Sequence, residues 1–226
     1  MRTKIVILSG SGLSAESGLP TFRDAAGLWR QRSWQELASP EGWRKNPALV
    51  LEFYNERRAK AWAAQPNAAH RAIAALETKF DVAVVTQNVD ALHERAGSTN
   101  VLHVHGELAF ARGTGPSRRR YRLDGAHIEM GQRCDEGTQL RPDIVWFGEE
   151  TQYMAEARDR VAAADKVLVV GTSLSVYPAA SLVDAARADA DKVLNSLEMD
   201  EVPRDFAFQP GPATIVLPRI IAAWLG

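Results

Sequence analysis

The sequence predicts an α/β domain in which a parallel sheet carries helices on both faces and a smaller module is inserted beside it. Three observations lead there. Short β-branched apolar runs recur along the chain, segments with helical apolar spacing separate most of them, and two stretches break the alternation. At 226 residues, 46% hydrophobic and 24% charged, the chain has the length of one domain with an insertion. Such a chain buries about 70–75% of its unfolded surface.

The candidate buried strands are residues 4–8, 81–85, 143–147, 166–170, 192–194 and 214–217, short runs rich in Val and Ile. Helical spacing runs over residues 47–64 and 67–79, with Pro66 breaking between them, and over 153–164 and 179–188. Residues 31–79 read as helical without strands, and 109–140 as polar and Gly- and Arg-rich. Both are assigned to the small module, leaving 1–30, 80–108 and 141–226 to the sheet part. The run containing Arg112, Arg118, Arg119, Arg120 and Arg122 reads as a solvated ribbon rather than a binding patch.

Composition excludes several classes. With 27 basic and 28 acidic side chains and a net charge of −1, no global field favours nucleic acid or an anionic membrane. A single cysteine, Cys134, excludes an intramolecular disulfide and any cysteine-rich zinc cluster. The apolar run near Met1 is too short for a signal peptide, and no stretch reaches the ~18 apolar residues of a membrane helix. The expectation is a cytoplasmic protein.

Four clusters sit at predicted strand ends, where open α/β sheets bind ligands. The first strand runs into Gly10-Ser11-Gly12-Leu13-Ser14-Ala15, a G-x-G-x-x-A turn that admits a pyrophosphate at a helix N-terminus, although a plain glycine turn reads the same. An ordinary dinucleotide fold continues with a second strand and an acidic residue ~20 positions on. Here Gly18 and Pro20 instead end the helix early and put Phe22-Arg23 in a loop beside the phosphate site. The second cluster, Thr86-Gln87-Asn88-Val89-Asp90, suits ribose hydroxyls or a carboxamide, or merely caps the next helix.

In the third cluster, His103-Val104-His105-Gly106, the alternation pairs two imidazoles on one strand face. A metal pair lacks a third ligand of clear spacing, and a polar strand face is the commoner explanation. His105, at the strand end, is a candidate general base. The fourth, Gly171-Thr172-Ser173, extends the crevice with small hydroxyl residues, or caps the helix at Ala179.

Taken in order, these motifs resemble the sirtuins, NAD-dependent protein-lysine deacylases. The turn through Phe22-Arg23 resembles G-A-G-I-S-x-x-S-G-I-P-x-F-R, residues 86–93 resemble T-Q-N-I-D-x-L-H, and His105-Gly106 resembles the catalytic H-G. Residues 141–149 resemble R-P-x-V-V-x-F-G-E, and residues 171–179 resemble G-T-S-x-x-V-x-P-A. The resemblance implies a Rossmann-like sheet and NAD as cosubstrate, with the pyrophosphate on Gly10, Ser11, Gly12 and Ser14 and with Phe22 and Arg23 by the nicotinamide ribose. It places Gln87 at the ribose, Asn88 and Asp90 in the nicotinamide pocket, and Gly171, Thr172, Ser173, Ser196 and Ala213 among the remaining NAD contacts. His105 is then the base, with Asn88 beside it in catalysis. The implied chemistry is attack of the acyl oxygen on the anomeric carbon as nicotinamide leaves, after which the acyl group passes to ADP-ribose.

Val145, Phe147 and Gly148 resemble the family's channel for an extended acyl-lysine peptide, which can pair as an added strand. Tyr54 and Arg57, three apart on one helix face, match the desuccinylase-like branch, where the pair receives an acidic acyl carboxylate. Acyl-lysine proteins are therefore the expected partners.

Three departures stand out. Ser11 replaces the usual alanine, and gapless alignment puts Ser196 rather than Asn195 at the adenine ribose. Between Glu107 and Arg141, most sirtuins carry two C-x-x-C pairs for structural zinc, whereas only Cys134 remains, so no metal is expected. Rival readings are a non-catalytic NAD or ADP-ribose binding module, and an NAD hydrolase or mono-ADP-ribosyltransferase.

Overall fold

The computed structural model describes residues 2–21, 33–123, 125 and 127–226. Phe22 and Arg23 lie outside these.

Six strands form a parallel sheet: β1 (Lys4–Ser9), β2 (Asp81–Thr86), β3 (Val101–His103), β7 (Lys166–Val170), β8 (Asp191–Ser196) and β9 (Ala207–Pro210). Their spatial order is β3-β2-β1-β7-β8-β9, so the chain reverses its direction of travel between β1 and β7. A crevice opens at the carboxyl ends of two such strands. Side chains alternate across β1: Ile5 and Ile7 bury on one face, Val6 and Leu8 on the other. Both faces are therefore covered, as a parallel sheet requires.

On the first face lie α5 (Ala68–Ala75), through Ala69 and Ile73, and α8 (Ala213–Leu225), through Ala213, Leu217 and Ile221. On the second lie α7 (Met154–Ala162), through Ala157 and Val161, and a 3₁₀ segment over Ala179–Ala185. Two short helices, α1 (Ser11–Ala15) and α6 (Leu92–Ala96), follow β1 and β2.

A second sheet is antiparallel, in the order β5 (Arg120–Arg122), β4 (Gly106–Gly113), β6 (Leu140–Ile144). Beside it pack α2 (Trp34–Leu37), α3 (Pro40–Lys45) and α4 (Pro47–Ala63). Helix α4 places Val50, Tyr54, Arg58 and Ala61 along one stripe against Leu108, Ile144 and Trp146. Asn46 caps it by accepting from Leu49 N at 3.1 Å.

Four expectations need correction. Residues 214–217 are the first turns of α8, not a strand: the spacing of Ala213, Leu217 and Ile221 puts one helical face on the sheet, while Thr214, Ile215 and Val216 imitate a strand run and Pro218 imitates its end. Residues 143–147 do not extend the parallel sheet, because β6 ends at Ile144 and pairs antiparallel with β4. The helix within 67–79 packs on the large sheet rather than in the small module, because Ala69, Ile73 and Leu76 face β1 and β2.

The arginine ribbon is not simply solvated. Glu107 and Asp143 face each other across β4 and β6, a like-charge pairing that Arg120 bridges by bonding both, at 2.7 Å to Asp143. Arg112 adds Asp143 at 3.5 Å and Glu149 at 3.2 Å.

Cys134 sits in an apolar cluster with Leu51, Ala111, Leu123, Ile128 and Leu140, its Sγ 3.1 Å from Thr138 Oγ1. Asn55 on α4 ties down the same ribbon, donating to Ile128 O and accepting from Ile128 N, both at 3.0 Å. Among the described residues, Cys134 belongs to no group of three His, Cys or carboxylate atoms close enough to share an ion. The residues of this ribbon do not fit a tetrahedral thiolate site.

Candidate functional site

A cavity of about 820 Å³ opens at the carboxyl ends of β1, β2, β7 and β8 and extends between the two sheets. Its lining includes Gly10, Ser11, Gly12, Ser14, Gln87, Asn88, Asp90, His105, Gly171, Thr172, Ser173, Ser196 and Ala213. It also includes Tyr54, Arg57, Val145, Phe147 and Gly148. Every candidate residue except Phe22 and Arg23, which fall outside the described residues, thus meets in one space.

The floor is made by two strand-end turns in contact. Gly12 N donates to Gly171 O at 2.8 Å, and a Cβ on Gly10 would stand 2.7 Å from Thr172 Cβ. Gly171 has φ +62°, and a side chain there would meet Leu13 N at 2.2 Å. The glycines are thus required by the packing of the two turns on each other, before any ligand is considered.

Above this floor, the loop after β2 is held in a polar chain. Asn88 Nδ2 donates to Gly10 O and to Ser14 Oγ, each at 3.1 Å, and Ser14 Oγ donates to Asp90 Oδ2 at 3.0 Å. The carbonyl of Gly10 fixes which way the Asn88 amide points. Asn88 Oδ1 is then buried without a hydrogen-bond partner. Asp90 also accepts from Leu92 N at 3.1 Å, and burial pushes its carboxyl above the ordinary carboxylate range.

His105 lies past the end of β3, with Nδ1 3.2 Å from Gln87 O. A carbonyl only accepts, so Nδ1 carries the proton and Nε2 keeps its lone pair. Burial holds the imidazole below its usual pKa, against the pull of the Gln87 carbonyl. A neutral ring with a basic Nε2 is what a general base needs at neutral pH.

At the other end, Asn195 Nδ2 donates to Gln209 O at 2.8 Å and Gly211 O at 3.0 Å, pinning the end of β9 and the turn after it, and its Oδ1 is buried without a partner. Ser196 Oγ instead donates to Glu198 O at 2.8 Å. Asn88 follows β2 and Asn195 lies in β8, strands three places apart, about 14 Å at the usual strand spacing. Each end of the glycine floor thus carries a buried amide oxygen without a hydrogen-bond partner.

The opposite wall comes from β6 and α4. Arg141 forks onto Glu149 at 2.6 and 3.0 Å and donates to Ile144 O at 2.8 Å, while Glu149 accepts from Trp146 N at 2.9 Å. The guanidinium also lies 3.2 Å from the Trp146 ring centroid. This clamp shapes the Val145–Gly148 segment, and Phe147 N donates to Ala38 O at 2.9 Å. The sequence placed Trp146 and Glu149 only within the peptide-channel motif, passed over Asn195 in favour of Ser196 and gave Arg141 no role; the charged residues bracketing the segment were the available signal.

Tyr54 is buried against Trp146, and the Arg57 guanidinium stands 5.5 Å from the ring centroids of both Phe53 and Tyr54. No salt bridge to Arg57 forms among the described residues. Burial pulls its pKa down, offset by Tyr54 and Asp90.

Comparison with known proteins agrees with this geometry. Residues 10–178 match the model of the Sir2 family. An NAD-dependent protein deacylase of Helicobacter pylori strain J99 is 51% identical over 82% of this chain and 79% of its own. One of Vibrio cholerae is 43% identical over 96% of this chain and 91% of its own. A Sir2 homologue solved as an NAD complex superposes with TM-score 0.87 at 38% identity, covering 98% of this chain and 89% of that one. With its glycine floor, its neutral His105 and its polar loop after β2 in the family's order, the chain belongs to the Sir2 family.

Proposed function

We propose that this cavity carries out NAD-dependent removal of an acyl group from a protein lysine, with His105 as general base. The observation that carries the reading is the hydrogen bond from His105 Nδ1 to the Gln87 carbonyl, which leaves Nε2 basic in the same cavity as Asn88, Asp90 and the glycine floor. NAD, when bound, supplies a glycosidic carbon that can accept the acyl oxygen as nicotinamide departs. The chain's residues do the rest. Gly10, Gly12 and Gly171 let backbone approach the phosphates, and Asn88 Oδ1 accepts from a ligand amide. Asn195 Oδ1 and Ser196 receive ribose hydroxyls at the far end. The Val145–Gly148 segment holds the acyl-lysine in line, which is catalysis by positioning, and His105 Nε2 takes up the hydroxyl proton.

The test is nicotinamide release with and without acetyl-lysine peptide. Release that requires peptide, and falls by about 10²–10⁴-fold in His105→Ala, is expected. Release without peptide supports hydrolysis of NAD instead, and binding without release supports a sensor module.

A finer reading concerns the acyl group. Arg57, beside aromatic faces and without a salt bridge among the described residues, is suited to a succinyl or similar acidic acyl, with Tyr54 adding a hydroxyl donor. Arg57→Met should depress succinyl-lysine turnover far more than acetyl-lysine turnover; equal loss on both peptides sinks the carboxylate clamp. The same proposal places the enzyme in the cytoplasm, where NAD and acylated proteins meet, and fractionation of expressing cells checks it. It also holds that the ribbon around Cys134 folds without metal, which stoichiometric zinc in the purified protein would contradict.

A further inference from the structure

The backbone of the loop after β2 is gripped at three successive carbonyls from the segment that follows β3. Gln87 O receives His105 Nδ1 at 3.2 Å, Asn88 O receives His103 Nδ1 at 2.8 Å, and Val89 O receives Leu108 N at 2.8 Å. The middle grip belongs to Asn88, a cavity-lining residue whose side-chain Oδ1 is buried without a hydrogen-bond partner. His103 itself is buried, and its other nitrogen, Nε2, lies 2.7 Å from Glu94 Oε1 on α6.

Both ring nitrogens of His103 therefore face atoms that only accept, a carbonyl and a carboxylate. A neutral imidazole has one N–H and can satisfy one of them. Both acceptors are satisfied together by the imidazolium, which carries an N–H on each ring nitrogen. We propose that His103 works as an imidazolium brace, a positioning residue that holds Asn88 in register for the reaction and lets it go when the ring loses its second proton to solvent. This rests on the reading that Asn88 faces the nicotinamide end of NAD.

The surrounding charge supports it. The groups facing His103 are Glu94 and His93 on α6, Glu107 on β4 and Asp90 in the loop itself. Burial alone would lower the His103 pKa, but the hydrogen bond and charge of Glu94, then Glu107 and the Asn88 carbonyl, outweigh it and raise the pKa. A raised pKa favours the charged ring, and the brace is lost as pH climbs through the raised value. The last N–H then stays with the stronger acceptor, Glu94, so Nδ1 turns a lone pair on Asn88 O. His105, two residues on with a single acceptor, is neutral under the same conditions.

Glu94→Gln separates this brace from a merely structural contact. The glutamine amide can donate to Nε2, so a neutral His103 then keeps Nδ1–H on Asn88 O and needs no charge. In the full chain, ¹⁵N-histidine spectra should show His103 doubly protonated at neutral pH in the wild type and neutral in Glu94→Gln. The signal is identified by its loss in His103→Gln or, if that variant does not fold, by through-bond correlation. Nicotinamide release should fall about tenfold from neutral to alkaline pH in the wild type, the scale of a displaced catalytic group, and stay flat over that range in Glu94→Gln. A neutral His103 in the wild-type spectrum overturns the proposal, as do superimposable pH profiles. Absence of turnover on every acyl peptide would instead overturn the proposed function, and the spectra would still decide the charge of His103.

Discussion

Two walls face each other across the cavity, and they are built on different physics. The wall at the large sheet is a set of strand ends above a core in which Ile5, Ile7, Val84, Leu168 and Val170 are buried on one face alone. Its turns are fixed by glycine contacts and by neutral hydrogen bonds such as Asn88 to Gly10. The wall at the small sheet rests on charge: Arg141, Glu149, Arg112, Asp143, Arg120 and Glu107 form one connected set around Trp146. Apolar burial has no charge to titrate or screen, whereas a partly buried ion network depends on both pH and ionic strength. The NAD side of the site is accordingly set by backbone geometry, with the proposed His103 brace as its pH-dependent part, whereas the acyl-peptide side rests on charge throughout.

The sharpest way to break the first wall is Gly171→Ala. A Cβ 2.2 Å from Leu13 N at φ +62° adds left-handed strain to overpacking, together about 4 kcal/mol, with NAD binding lost. Urea unfolding and calorimetric titration measure both, and a loss under about 1 kcal/mol would mean that the turns have slack and the wall is not set by contact.

Arg141→Met attacks the second wall. It leaves the Glu149 carboxylate and the Ile144 carbonyl without their guanidinium, a change of about 3 kcal/mol for a pair this buried. The peptide KM should rise while NAD affinity holds. If NAD affinity falls equally, the two walls are one unit and the comparison fails.

The charge dependence of that wall has a definite sign. Burial pushes the Glu149 carboxyl up, but Arg141, Trp146 N and Arg112 outweigh it and leave its pKa below the ordinary value. A depressed pKa contributes stability that is fully present above the unfolded value of about 4.3 and is lost as pH falls through the folded one. Wild-type stability should therefore drop more steeply on acidification below that value than the stability of Arg141→Met, where Glu149 has lost its main partner. Parallel curves would show that the clamp holds by packing on Trp146 rather than by charge.

The large sheet was legible because buried parallel strands announce themselves as short Val and Ile runs, and the strand-end motifs fall where such a sheet binds ligands. Thr214–Val216 defeated the same reasoning: a β-branched run with a following proline has the local look of a strand, and only the sheet contacts of Leu217 and Ile221 make it helical. The second wall was harder to read because ion pairing between strands depends on register. Arg120 could be seen as one of a basic run, but its placement over both Glu107 and Asp143 follows from the antiparallel pairing of β4 with β5 and β6. His103 and His105 looked equivalent by alternation, and their difference comes from what each faces.

The smallest expected effect marks where the ionic wall ends. Arg119 lies next to Arg120 in sequence and pairs with Asp135 at 2.7 Å, yet both side chains are more than half exposed, at 66% and 60%. Water screens such a pair, and ordering two long side chains offsets most of what the contact gains. Arg119→Ala should stay within about 0.5 kcal/mol of wild type, with peptide KM unchanged. Arg120→Ala, by contrast, would leave Glu107 and Asp143 opposed across the strands with their bridge gone. Urea unfolding of the two single variants in low and high salt makes the comparison. A loss at Arg119 as large as that at Arg120 would extend the ionic network to the solvent edge of the ribbon, and exposure would then not mark where the wall ends.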